Sequence, residues 1–115
     1  MKHRGSCHCG KVAIEFESDI QGGLACNCSI CSRSGALLMF LPRDAVTVQA
    51  APDAMTTYTF NKHNIQHRFC KTCGIKVFGE GTDPKGNRTA AINIRCIDGV
   101  DLDKIPVQHF NGRAL

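Results

Sequence analysis

Ala25-Cys26-Asn27-Cys28-Ser29-Ile30-Cys31-Ser32 puts three cysteines within six positions. In an extended segment Cys26 and Cys28 point to the same side, because side-chain direction repeats every two residues. Cys31 returns to that side if the chain turns at Ser29-Ile30. Three converging thiols suit a zinc ion and leave one of its four positions free. A fourth protein ligand would instead close the site and make it a structural staple.

Two further cysteine pairs flank this triad. Cys7-x-Cys9 is held on one face by the strand period, and Cys70-x-x-Cys73-Gly74 has the shape of a zinc knuckle. In the knuckle, two residues between the thiols make a tight turn and Gly74 supplies the positive φ that aims backbone N–H groups at sulfur. Each pair offers two ligands, so joining them gives a closed four-thiolate site that links the start of the chain to its second half. Such a site is structural, and its metal affinity counts as folding energy. The alternative, a redox dithiol at Cys70 and Cys73, expects a βαβ pattern that the chain lacks.

The triad is then left with its own zinc. Cys96 is the candidate fourth ligand, although its strand neighbours Ile92 and Ile94 equally suit a buried thiol acting as a small hydrophobe. His63 and His67 precede the knuckle at H-x3-H spacing, but His67 shares a face with Ile65 and Phe69 rather than with Cys70. His8 points away from Cys7 and Cys9, and His3 and His109 carry no pattern.

A chain of 115 residues with eight cysteines, no Trp and 6% aromatics is read as a single domain over 1–115. Its Val-, Ile-, Leu- and Ala-based core benefits from metal cross-links. Met1-Lys2-His3-Arg4 runs into Gly5-Ser6-Cys7 without an apolar stretch, and no segment is long enough to span a membrane. The expectation is a cytoplasmic protein with no membrane partner, whose thiols bind metal rather than form disulfides. The formal charge is +4. Seven thiolates against two divalent zinc ions remove three of those charges and leave about +1. Lys and Arg are scattered, so no nucleic-acid partner is expected.

Elsewhere the chain reads as short strands. Val12, Ile14 and Phe16 alternate with Ala13, Glu15 and Glu17, a half-buried strand. Ile20–Cys28 leads through Gly22-Gly23 into a strand carrying the triad, and Ser32–Gly35 is a turn. Ala36–Leu41, Val46–Gln49, Met55–Phe60, Ile65–Cys70, Ile75–Phe78 and Thr89–Ile97 follow as strands. Gly79–Arg88 is expected to be a polar loop, Val100–Val107 to hold one helical turn, and Gln108–Phe110 to add an edge strand. The class is all-β, with short antiparallel strands and cysteine-bearing turns.

An open three-thiolate zinc is a weak Lewis acid, ill suited to activating water, which neutral histidine ligands do better. It favours a soft fourth ligand, above all another thiolate. A small-molecule thiol held there would be deprotonated at neutral pH and ready for an electrophile. Chemistry at a carbon–sulfur bond is the reaction class that follows.

Gly5-Ser6-Cys7-His8-Cys9-Gly10, Cys26-Asn27-Cys28-Ser29-Ile30-Cys31 and His67-Arg68-Phe69-Cys70-Lys71-Thr72-Cys73-Gly74 together resemble the glutathione-dependent formaldehyde-activating family. Met55–His63, Cys96–Gly99 and Phe110–Gly112 look most like its centromere protein V branch. The resemblance implies the β-tent fold and two zinc ions. Cys7, Cys9, Cys70 and Cys73 would hold the structural ion, and Cys26, Cys28 and Cys31 the catalytic one. It also implies the joining of glutathione and formaldehyde as S-hydroxymethylglutathione, a carbon–sulfur lyase reaction written in reverse. Arg33, Arg43 and Arg95 are candidate anchors for the thiol's carboxylates. Asn27 stands where many members have His, and the chain is more compact than the name-giving enzyme. The competing reading is a non-catalytic, zinc-stabilised β-tent binding module, with Cys96 closing the second site.

Overall fold

The alternation of Val12, Ile14 and Phe16 builds the strand around which the smaller of two sheets forms. In a computed structural model that describes residues 2–60 and 64–114, strands β1 (Lys2–Ser6), β2 (Val12–Glu17) and β5 (Val46–Ala50) pair antiparallel in the order β1-β2-β5. The larger sheet contains β3 (Gly23–Cys26), β4 (Leu38–Pro42), β6 (Met55–Tyr58), β7 (Ile65–Cys70), β8 (Lys76–Thr82), β9 (Arg88–Asn93) and β10 (Val107–Phe110), in the order β10-β3-β4-β9-β8-β7-β6. A single helical turn, α1 (Cys31–Ser34), follows β3, and short 3₁₀ turns lie at Arg43–Ala45, Ile94–Cys96 and Gly112–Ala114. The all-β expectation holds.

The core lies between the sheets. Val12 and Ile14 of β2 meet Val77 and Phe78 of β8, Ile92 of β9, and Ile94, all under 2% exposed. Removing each such side chain from water contributes about 1.5–3 kcal/mol. Along β9 the side chains divide. Ala90 and Ile92 join this core, whereas Ala91 packs with Cys31, Ala36 and Leu38 on the opposite face. The large sheet therefore has a core face and an outer face, as the two-residue period requires. The small sheet also meets the segment that follows β9, where Gly5 bridges to Ile97. A Cβ on Gly5 would stand 2.7 Å from Ile97 Cδ1, so only glycine permits this approach.

Four local expectations are corrected. Val100–Val107 holds no helical turn: the Lys104 N–H closes a simple turn on Asp101 O (3.1 Å), and β10 begins at Val107. Gly79–Arg88 is not all loop: β8 continues to Thr82 and β9 begins at Arg88. Gly79 and Gly81 hide the alternation, but pairing with β7 and β9 on both sides supplies the ladder bonds. The loop shrinks to a tight turn in which Asp83 Oδ1 accepts from the N–H groups of Lys85 and Asn87, and Gly86 takes φ 88°. The strand expected over Thr89–Ile97 ends at Asn93, whose side chain accepts the Arg95 N–H and starts a 3₁₀ turn. Finally, β10 pairs with β3 in parallel, an exception to the antiparallel pattern.

Candidate metal centres and an adjoining cleft

The ends of β1 and β7 bring two cysteine turns together at the margin of the core. The sulfurs of Cys7, Cys9, Cys70 and Cys73 all lie within 4.8 Å of one another. Cys7 Sγ and Cys9 Sγ are 3.6 Å apart, and Cys9 Sγ and Cys70 Sγ 3.5 Å. Zinc–sulfur bonds of about 2.3 Å in a tetrahedron put sulfurs about 3.8 Å apart, so this donor set fits a zinc ion. Both turns aim backbone donors at sulfur. Val12 N–H points at Cys7 Sγ over 3.4 Å, and the N–H groups of Thr72 and Cys73 point at Cys70 Sγ over 3.3 and 3.4 Å. Gly10 and Gly74 follow in matching left-handed conformations at φ 84° and 81°. N–H groups of Cys9 and Ile75 lower the Cys73 thiol to about 6, since they favour its anion.

The second cluster is on the outer face of the large sheet. Sulfurs of Cys26, Cys28 and Cys31 again lie within 4.8 Å of one another. The strand period alone does not converge them, because β3 ends at Cys26 and Cys31 opens α1. Ser32 N–H to Cys28 O (2.9 Å) and Ser34 N–H to Ile30 O (2.9 Å) curl the segment, and Gly35 at φ 70° ends it. Cys28 N–H points at Cys26 Sγ over 3.4 Å. Leu24, Ala36, Leu38 and Ala91 pack beneath the cluster. Burial, then the neighbouring Cys28, push the Cys31 thiol up to about 12. At Cys28 burial acts in the same sense, but the N–H and thiol of Cys31 outweigh it and hold the group below its usual range.

Cys96 does not belong to this group. The 3₁₀ turn carries it off the strand, and its thiol points at the Lys76 carbonyl, 3.8 Å away. Burial, then the charges of Cys7 and Cys73, raise it to about 11, so its electrostatic neighbours are in the four-cysteine cluster. His63 lies outside the described residues. His67 is buried and bonds to Lys76, as an acceptor at Nδ1 from Nζ over 2.8 Å, because an ammonium can only donate. Burial and Lys76 depress His67 to about 4. His8 and His109 are exposed, and His3 packs on Phe16 with ring centroids 5.5 Å apart.

Several residues of this outer face were not singled out in the sequence. The β7–β8 register shifts between Arg68 and Phe69, so Phe69 pairs with Lys76 where regular pairing would give Val77. That bulge turns Lys76 away from the face of Phe78 and Glu80 and onto the face of His67. Burial lowers the Lys76 pKa, and the charges of Cys31 and Cys28 pull it back up. The chain's last described stretch also reaches the triad. Asn27 N–H bonds to Phe110 O (3.1 Å), Asn27 Nδ2 donates to Asn111 Oδ1 (2.9 Å), and Arg113 N–H donates to Asn27 Oδ1 (2.9 Å). No spacing rule in the sequence pairs Asn27 with residues more than eighty positions away.

Of the three arginines considered, two are committed elsewhere. Arg43 pairs with buried Glu80, which Arg68 and Arg88 also contact, and Arg95 Nε donates to Gly35 O at 2.8 Å. Arg33 lines a cleft of about 330 Å³ with Ser29, Ile30, Tyr58 and Phe60, next to the triad turn. A larger groove of about 710 Å³, lined in part by Leu24, Phe40 and Val107, contains none of the eight cysteines. Neither cleft is lined by a cysteine, but Ser29 and Ile30 of the smaller one join Cys28 to Cys31, so the smaller one adjoins the triad.

A mostly-β domain carrying a four-cysteine and a three-cysteine cluster, each able to hold a metal ion, is thus the class of protein defined by fold and site. The sequence profile of the family described as glutathione-dependent formaldehyde-activating enzyme matches residues 2–111, and the chain belongs to that family. Among relatives, a Penicillium rubens protein is 35% identical over 79 residues, and one from Talaromyces marneffei is 33% identical over the same length. Both are provisionally named glutathione-dependent formaldehyde-activating enzymes. Each match takes in 64% of this chain but only 41% and 42% of the relative, so the chain matches about two fifths of their length. A crystal structure of a Rhodobacter sphaeroides protein superposes with a TM-score of 0.76 at 29% identity, covering 91% of this chain and 99% of that one.

Proposed function

We propose that this chain is a zinc-dependent carbon–sulfur lyase-like protein that joins a small thiol, glutathione or a related one, to an aldehyde. One observation carries the reading. Among the described residues, the outer cluster consists of three cysteine sulfurs and no fourth His, Cys, Asp or Glu. Zinc held by Cys26, Cys28 and Cys31 would supply a position at which a visiting thiol is kept as its thiolate. The protein's own groups prepare that position. Lys76 adds positive charge beside Cys28 and Cys31, and its Nζ donates a hydrogen bond to His67 Nδ1, which fixes where the ammonium stands. Leu24, Leu38 and Ala91 keep water from the inner side. Cys7, Cys9, Cys70 and Cys73 would hold the second zinc as a purely structural ion.

The family description supports glutathione as the thiol and formaldehyde as the aldehyde. The reading also places the protein in the cytoplasm, where thiols stay reduced. Kinship with the centromere protein V branch rests on sequence likeness at 55–63, 96–99 and 110–112, of which residues 61–63 lie outside the described ones. The chain's match to only about two fifths of its curated relatives favours a second reading, a binding module without catalysis.

Cobalt replacing zinc separates the two. Glutathione should change the thiolate-to-cobalt absorption of the intact protein but not that of Cys28→Ser, and the intact zinc protein should speed adduct formation from formaldehyde. An unmoved spectrum with no rate gain would leave only the binding module.

A further inference from the structure

The cleft beside the triad has a makeup that the metal cluster does not require. Ser29 and Ile30, which form one wall, are the residues that join Cys28 to Cys31, so the metal-binding turn is itself a side of the cleft. Tyr58 and Phe60 also line it. Tyr58 stacks on Phe60 with centroids 5.8 Å apart, and Phe60 stacks on His67 at 5.5 Å. His67 in turn holds Lys76, whose charge is felt by Cys28 and Cys31. The ring stack therefore leads from the cleft to His67 and, through its hydrogen bond, to Lys76. Tyr58 is 51% exposed, a large aromatic face left to water.

Arg33 supplies the remaining chemistry. Its Nη1 donates to Ser29 O at 2.7 Å, which orients the guanidinium on the wall of the cleft. A planar guanidinium presents several donors in a fixed fork that matches a carboxylate. Among the described residues lining the cleft there is neither Asp nor Glu. A volume of about 330 Å³ is at the small end of ligand sites, so it suits part of a small molecule rather than a polypeptide surface.

We propose that this cleft seats the non-reacting part of the thiol substrate, and that Arg33 with the Tyr58–Phe60 rings selects small peptide-like thiols bearing a carboxylate over plain alkyl thiols. The inference rests on the lyase reading for its substrate, but its test stands apart. Tyr58 is the chain's one tyrosine and there is no Trp, so intrinsic fluorescence reports on the cleft itself. The zinc-loaded protein is titrated with glutathione, with S-methylglutathione (carboxylates, no free thiol) and with 2-mercaptoethanol (a thiol without carboxylates). The first two should change Tyr58 emission, and the third should not. Arg33→Gln should weaken the first two by roughly three- to fivefold, the effect of an exposed ion pair. The same variant should leave the cobalt spectrum's response to 2-mercaptoethanol as it was, which shows that the fold is intact. If glutathione shifts the cobalt spectrum while Tyr58 emission stays flat, the lyase reading survives and the cleft assignment is overturned. If S-methylglutathione moves Tyr58 but glutathione leaves cobalt unmoved, the cleft assignment stands and the lyase reading falls. Silence in both channels overturns both.

Discussion

Gly112 lies directly against the sulfur of Cys26. A Cβ built on Gly112 would collide with Cys26 Sγ and stand 3.2 Å from Cys28 Cβ, so this backbone approach tolerates no side chain. The stretch that follows β10 is thereby a wall of the outer cluster, fastened by the bonds of Asn27 to Phe110, Asn111 and Arg113.

Gly112→Ala should therefore damage the outer centre alone. The expected result is a fall in its metal affinity of roughly 10-fold or more, the size seen when groups supporting a ligand are lost. Metal content after competition with a chelator should drop from two equivalents toward one. Asn27→Ala, which releases the same wall without a collision, should have a milder effect in the same direction. Full retention of both ions by both variants would show that the wall is not needed.

The two clusters should differ in what their loss does to the fold. Cys7 and Cys70 belong to the main core, and their cluster ties β1 to β7. Cys70→Ser should lower the thermal midpoint by about 10 °C or more, the equivalent of about 2–3 kcal/mol in a domain of this size. Cys28→Ser, on the outer face, should cost only a few degrees. Differential scanning calorimetry on the two variants tests the order, and equal losses would contradict it.

Glu80 is 6% exposed and is contacted by Arg43, Arg68 and Arg88. Burial works against its anion, but hydrogen bonds from Arg43 and Arg68 outweigh it and hold the carboxyl below its usual range. Glu80→Gln leaves those guanidiniums without their counter-charge. A loss of about 3 kcal/mol is expected, at the low end for a broken buried pair because the arginines keep some solvent. Denaturant unfolding measures it, and a loss within 0.5 kcal/mol would mean that the network contributes little.

His67 should give the fold an acid sensitivity of definite sign. Its pKa is about 4 in the folded protein against 6.5 ordinarily, so the unfolded chain binds more protons between those values. Stability is full above about pH 6.5 and falls as pH drops toward 4, where the folded protein takes up the proton too. His67→Gln should flatten that limb when unfolding is followed at fixed zinc from pH 7 to pH 5. An unchanged slope would mean that other groups govern it.

Much of this was legible because sulfur spacing is a local property. Cys7-x-Cys9, the Cys26–Cys31 triad and Cys70-x-x-Cys73 each set their own geometry within a few residues, and the structure gathers the same cysteines into the same two groups. The alternation of Val12, Ile14 and Phe16 fixed β2 for the same reason. What stayed hidden depends on contacts distant in sequence. Lys76 reaches the outer face through a bulge set by the β7–β8 register. Asn27 finds its partners only once β10 lies parallel to β3. Cys96 looked like a strand residue until Asn93 capped a 3₁₀ turn before it. Arg33 could not be told from Arg43 and Arg95 by sequence, because the difference is in what each one touches.

The divergence of Ala91 from Ala90 and Ile92 has a consequence for how such a protein can change. A wall one peptide thick keeps the main anchorage on one side and leaves a workbench, with its own small buried cluster, on the other. Replacements among residues that look outward can refit the workbench while the anchorage, and with it the ability to fold, is left alone. That separation is a physical route by which a single scaffold comes to serve different chemistries.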